Sequence, residues 1–93
     1  MTVRINRTGR TLKLPMAIGF HTCSAMMLAE EYGFHRVNPL DIAEYRTIQL
    51  YSTEINNLVE KDGVLYCFKE WFGEYPYDGI IIEEIGSITN DVA

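Results

Sequence analysis

Val3 and Ile5 alternate with Arg4 and Asn6 at the start of the chain, and Leu12 and Leu14 alternate with Thr11 and Lys13 a few residues later. A period of two sends successive side chains to opposite sides of a strand, so both runs read as strands with one buried face. Asn6-Arg7-Thr8-Gly9 between them supplies turn chemistry. The expected structure of residues 2–14 is therefore a β-hairpin with one apolar face and one cationic face carrying Arg4, Arg7, Arg10 and Lys13. These four are half of the chain's eight basic residues, and no acid accompanies them. The rest of the chain is acidic: Tyr51 to Ala93 holds nine Asp or Glu against two Lys.

At 93 residues the chain is expected to form a single domain spanning 1–93. A chain this short buries only about 60–65% of its extended surface and has nothing to spare for a second core. Its 47% hydrophobic content and eleven aromatics argue for a folded protein. Two cysteines, Cys23 and Cys67, are too few for a disulfide framework, which favours a reducing cytoplasm, that of the host if the protein is viral. No signal-peptide pattern and no apolar run near the ~20 residues of a membrane span are present. The formal net charge of −5 opposes non-specific nucleic-acid binding, leaving a protein partner or a second copy as the expected contact.

A helix is expected from about His21 to Tyr32. Ala25, Leu28, Ala29 and Tyr32 form one apolar stripe, Gly33 supplies a left-handed end, and Phe34 the apolar contact of a Schellman motif. Asn38-Pro39-Leu40-Asp41 reads as the start of a second helix reaching about Lys61, although Tyr45 to Tyr51 is rich in strand formers. Asp62-Gly63 fits either a helix stop or a two-residue hairpin turn. Val64 to Phe72 is a buried segment, Gly73 to Gly79 a loop, Ile80 to Ile82 a short strand and Gly86 to Ala93 a frayed tail. The expected class is α+β: an N-terminal β-hairpin packed on two helices, with one or two short C-terminal strands.

Candidate chemistry is sparse. His21, Cys23, His35 and Cys67 are the only soft ligands and match no zinc spacing, so the cysteines read as small buried hydrophobes. Cys23 beside His21 lacks an accompanying oxyanion-hole glycine cluster, and Glu30-Glu31 and Glu83-Glu84 read as solvated edges. These patterns point to no cofactor, metal or catalysis. The densest feature is Trp71, Phe72, Tyr75 and Tyr77 around Pro76, flanked by Glu74 and Asp78. Tyrosine and tryptophan anchor interfaces, so these residues and the four N-terminal cations are the expected partner-binding set.

The order of a short hairpin at Thr2 to Leu14, the run Lys13-Leu14-Pro15-Met16-Ala17-Ile18-Gly19-Phe20 and a helix ending Glu30-Glu31-Tyr32-Gly33 resembles the start of small tail assembly chaperones of tailed phages and prophages. The likeness covers about the first third of the chain. It implies a non-enzymatic cytoplasmic protein that oligomerises and coats a partner during assembly. The alternative expectation is a small acidic counter-defence inhibitor that blocks a site on a host protein.

Overall fold

The computed structural model describes residues 2–15, 25–38 and 57–89. Its elements are β1 (Thr2–Ile5), β2 (Thr11–Pro15), α1 (Ala25–Glu31), β3 (His35–Arg36), β4 (Leu58–Lys61), β5 (Val64–Phe72) and β6 (Gly79–Thr89). The strands form one six-stranded antiparallel sheet in the order β1-β6-β5-β4-β3, with β2 also on β6. The described architecture is thus mostly β with one short helix. This overturns the expected hairpin on two helices.

β1 and β2 do not pair with each other. Both lie antiparallel along the same side of β6, with Ile5 opposite Gly86 and Thr11 opposite Glu83. Residues 6–10 bulge out between them, pinned by Asn6 N–H to the Ile85 carbonyl (3.0 Å) and by Glu84 N–H to the Arg10 carbonyl (2.9 Å). The geometry explains why the expected faces fail. In a hairpin Val3 and Leu12 would share a face, but Val3 lies opposite Ile88 and Leu12 opposite Ile82, and the irregularity at Ile85 puts those two parts of β6 on opposite faces. Val3 joins one core cluster and Leu14 packs against the other. Their neighbours Arg4 and Lys13 consequently also part, and no single cationic face exists.

β6 is long because Ile80, Ile81 and Ile82 favour extended backbone, and because two strands and β5 hold it on both sides. Gly86 to Thr89 is therefore paired strand, where a frayed tail was expected. The expected second helix also fails at its end, since Leu58–Lys61 is β4; residues 39–56, including Tyr45 to Tyr51, lie outside the described residues. Asp62 and Gly63 both have positive φ (52° and 80°) and join β4 to β5, the two-residue hairpin turn that favours this pair.

The end of α1 follows its sequence, but Tyr32, the last member of the expected apolar stripe, is exposed, as is Met27. Gly33 N–H reaches the Glu30 carbonyl (3.0 Å) and Phe34 N–H the Ala29 carbonyl (3.4 Å), the two bonds of a Schellman end with Gly33 at φ 89°. Phe34 then inserts into the core beside Ala25, Met26, Leu28 and Ala29. Residues 21–24, the expected first turn, are outside the described residues.

Both faces of the sheet carry buried side chains. Val59, Ile80 and Ile82 meet α1, while Leu58, Leu65, Cys67, Ile85 and Val3 form a second cluster on the opposite face. Two irregularities in the β5–β6 register set which residues go where. Ile85 has no partner on β5, so Ile85 and Ile88, three apart, reach the same cluster; Lys69 has no partner on β6, so Phe68 and Trp71 do likewise. Among the described residues no helix is long and apolar enough to cross a membrane.

Candidate functional site

Tyr66, Phe68 and Trp71 line the α1 face of β5, and the bulge at Lys69 keeps Trp71 on that face. Phe68 meets Trp71 edge-on, with ring centroids 5.8 Å apart. Trp71 stacks on Tyr77 at 5.1 Å and 21°, and Tyr77 meets Tyr75 edge-on at 5.9 Å. Four rings thus run in series from the sheet interior out to Tyr75, which is 69% exposed. Edge and offset contacts of this kind fix each ring against the next.

The loop carrying Tyr75 and Tyr77 is closed by Asp78. Its N–H donates to the Phe72 carbonyl at 2.9 Å, and its carboxylate fills the space a side chain at position 73 would need, where Gly73 has φ 87°. Asp78 therefore shapes the tip, whereas Glu74 is exposed beside Tyr75.

The expected partner-binding residues do not form one surface. Trp71, Tyr75 and Tyr77 come together. Phe72, the next residue after Trp71, faces the other way and carries the Lys13 ammonium 5.4 Å from its ring centroid. Arg4 lies on β1, and Arg7 and Arg10 lie in the exposed connection 6–10. His35 is exposed on β3, Cys67 is buried, and His21 and Cys23 lie outside the described residues. Among the described residues no group of three or more His, Cys, Asp or Glu is placed to hold a metal ion.

One feature has no signal in the sequence: a cleft on the α1 face, of about 400 Å³, walled by Leu12, Leu14, Val64, Tyr32, Phe34 and Tyr66. A hollow of about 220 Å³ adjoins it, sharing Leu12 and Tyr66 and bounded by Arg10 and Glu84. Seven helical residues span ~10 Å and the nine residues of β5 ~30 Å, so among the described residues α1 covers only part of the sheet. The Tyr32 hydroxyl donates to the Pro15 carbonyl and ties the end of α1 to β2 across this gap.

Tyr66 lies between the two hollows, its ring edge-on to Phe34 at 5.3 Å. Desolvation first, then the negative charges of Glu84 and Asp62, push its phenol above the ordinary tyrosine range. It stays protonated at neutral pH and both donates and accepts. Comparison of the chain with protein-family models, with curated proteins and with solved structures finds no match.

Proposed function

We propose that this chain is a non-enzymatic protein-binding module that grips a protein partner with the aromatic tip of the β5–β6 hairpin. The observation that carries the reading is Tyr75, 69% exposed at the end of a series of rings that continues through Tyr77 and Trp71 to Phe68. A large apolar side chain on a closed, ring-braced loop loses little conformational freedom on binding, so more of its contact energy reaches the affinity. Tyrosine and tryptophan are also the residues over-represented among energetic anchors.

An assembly adaptor or chaperone belongs to this class, and the tip supports that role without help from the N-terminal resemblance, whose hairpin is not formed. The acidic-inhibitor alternative gains no support from the geometry. Glu83 pairs with Cys67 and Glu84 with Tyr66, adjacent positions that face opposite sides of the sheet, and Asp78 is turned back over Gly73. These three acids thus do not share one surface.

The test is comparative capture from cells that produce the protein, using wild type, Tyr75→Phe and Tyr75→Ala, with light scattering on each. A species, or self-association, retained by the first two and weakened at least about tenfold by Tyr75→Ala supports the tip as anchor. Identical retention and identical mass for all three variants would remove it.

A further inference from the structure

We infer that the cleft between β2, the end of α1 and the β4–β5 turn receives the aromatic tip of a second copy of this chain, with Tyr75 of one copy against Leu12, Leu14 and Tyr66 of the other. This rests on the reading of the tip as the binding element and names its partner.

The cleft favours an occupant without charge. Lys61 and Asp62 together line the larger hollow and Arg10 and Glu84 the smaller, so in each the two signs offset one another. The Phe34 ring and the Tyr32 carbonyl already hold the Lys61 ammonium, at 5.2 Å from the ring centroid and 3.3 Å from the oxygen. What the cleft offers beyond these groups is an apolar wall, from Leu12, Leu14 and Val64, and the Tyr66 phenol, which both donates and accepts. A tyrosine side chain answers both, its ring against the wall and its hydroxyl toward the phenol. At about 400 Å³ the cleft is too confined for a folded domain and suited to a protruding loop.

Exposure, loop geometry and charge assign that loop to a second copy. Tyr75, 69% exposed, is the most exposed large apolar side chain among the described residues, and Leu12 and Tyr32 in the cleft lining are exposed too, so one contact covers all three. The tip does not serve its own cleft. Asp78 N–H on the Phe72 carbonyl and the rings from Tyr77 to Phe68 hold Tyr75 outward, apart from the residues that line the cleft. From Glu70 to Thr89 the chain has acids and no Lys or Arg, with Glu74 and Asp78 exposed at the tip, whereas Thr2 to Pro15, the strip that walls one side of the cleft, has Arg4, Arg7, Arg10 and Lys13 and no acid. A tip approaching over that strip is attracted, while tip against tip or strip against strip would set like charges together. A single loop buries well under the about 1,200 Å² of a standard interface, so the association is weak and depends on concentration.

The test is sedimentation velocity over a concentration series, with circular dichroism confirming that each variant is folded. Wild type is expected to self-associate. Tyr75→Ala and Leu12→Glu each weaken that association at least about tenfold, and Glu74→Lys weakens it about threefold. Leu12 is 41% exposed, so the charge introduced there is carried at the surface. Mixing the Tyr75→Ala and Leu12→Glu proteins restores a complex, because one keeps the cleft and the other the tip. A second measurement needs no weakened variant: a photo-reactive benzoylphenylalanine at position 75 is expected to cross-link to Thr11–Leu14 or Val64–Tyr66 of another chain. A wild type that stays monomeric at every concentration, a Leu12→Glu protein that associates as wild type does, or a cross-link from position 75 to a different surface would overturn the assignment. In those cases, capture of another cellular protein that is lost with Tyr75→Ala keeps the tip as anchor and removes only the second copy.

Discussion

Replacing Gly86 by alanine tests the least expected part of the fold, the pairing of β1 with the C-terminal half of β6. Gly86 is not among the glycines with positive φ, so the perturbation is steric. A Cβ built there overlaps the Arg4 carbonyl oxygen and comes within 3.1 Å of the Arg4 carbonyl carbon and the Ile5 Cα. All three atoms belong to the backbone, and no rotamer change relieves the contact. If β1 shifts outward as a unit, the cost is that of overpacking, about 1–3 kcal/mol. If β1 detaches, Val3, only 3% exposed in the fold, loses burial worth about 1.5–3 kcal/mol, partly offset by recovered backbone freedom. Both routes converge on about 2 kcal/mol. At roughly 4–8 °C per kcal/mol for a domain of this size, Tm falls by about 10 °C. Circular dichroism melts give the shift, and hydrogen exchange of the Val3 to Ile5 amides tells displacement from detachment. Ser87→Ala, one residue away, serves as control and costs under about 0.5 kcal/mol. A Gly86→Ala protein that melts within about 2 °C of wild type with the β1 amides still protected would refute the pairing.

Two further outcomes test the core and the cleft. Ile82 is fully buried between β2 and β5 against α1, so Ile82→Ala is expected to cost about 2–5 kcal/mol and Ile82→Val about 0.5–1.5 kcal/mol, read from the midpoint of urea unfolding; equal midpoints for the two variants would contradict that burial. The Tyr66 phenol is raised above 10.0 in the fold, so its contribution to stability is fully present below pH 10 and is lost as the pH rises through the folded value. Tyr66→Phe is expected to flatten the fall of Tm above pH 10, and Glu84→Gln to flatten it in part, since desolvation remains; parallel wild-type and Tyr66→Phe curves would show the phenol to be unperturbed.

Local signals in the sequence were readable where a few neighbouring residues decide the conformation. Gly33-Phe34 ends α1 because a left-handed residue and an apolar follower complete the two bonds of that motif. Asp62-Gly63 left two readings open, and the strands on either side selected the hairpin turn. Ile80 to Ile82 was recognisable as strand from β-branching alone, but its extension to Thr89 depends on β1, which lies far away in the chain. What was illegible is non-local. A period of two in residues 2–14 is compatible with a hairpin and with one interrupted edge strand, and only the presence of an eleven-residue β6 to template both halves decides between them.

The aromatic tip is local in the chain, and the cleft is not. Trp71, Tyr75 and Tyr77 are close in sequence and remain close in space, so density along the chain was a fair guide. Leu12, Phe34, Lys61 and Tyr66 come from four different stretches and meet only because β2 and β5 flank β6 on one face. Bulges compound the difficulty. At Lys69 and Ile85 a single unpaired residue converts a spacing of three into a shared face, so Phe68 with Trp71, and Ile85 with Ile88, carry the spacing of a helix while lying in strands. Removing Lys69 would leave Phe68 and Trp71 two residues apart in a regular ladder, still on one face and still opposite Ile82 and Ile80. The bulge therefore accounts for the misleading spacing of three, whereas the stack of Trp71 on Tyr77 rests on the register that sets Trp71 opposite Ile80.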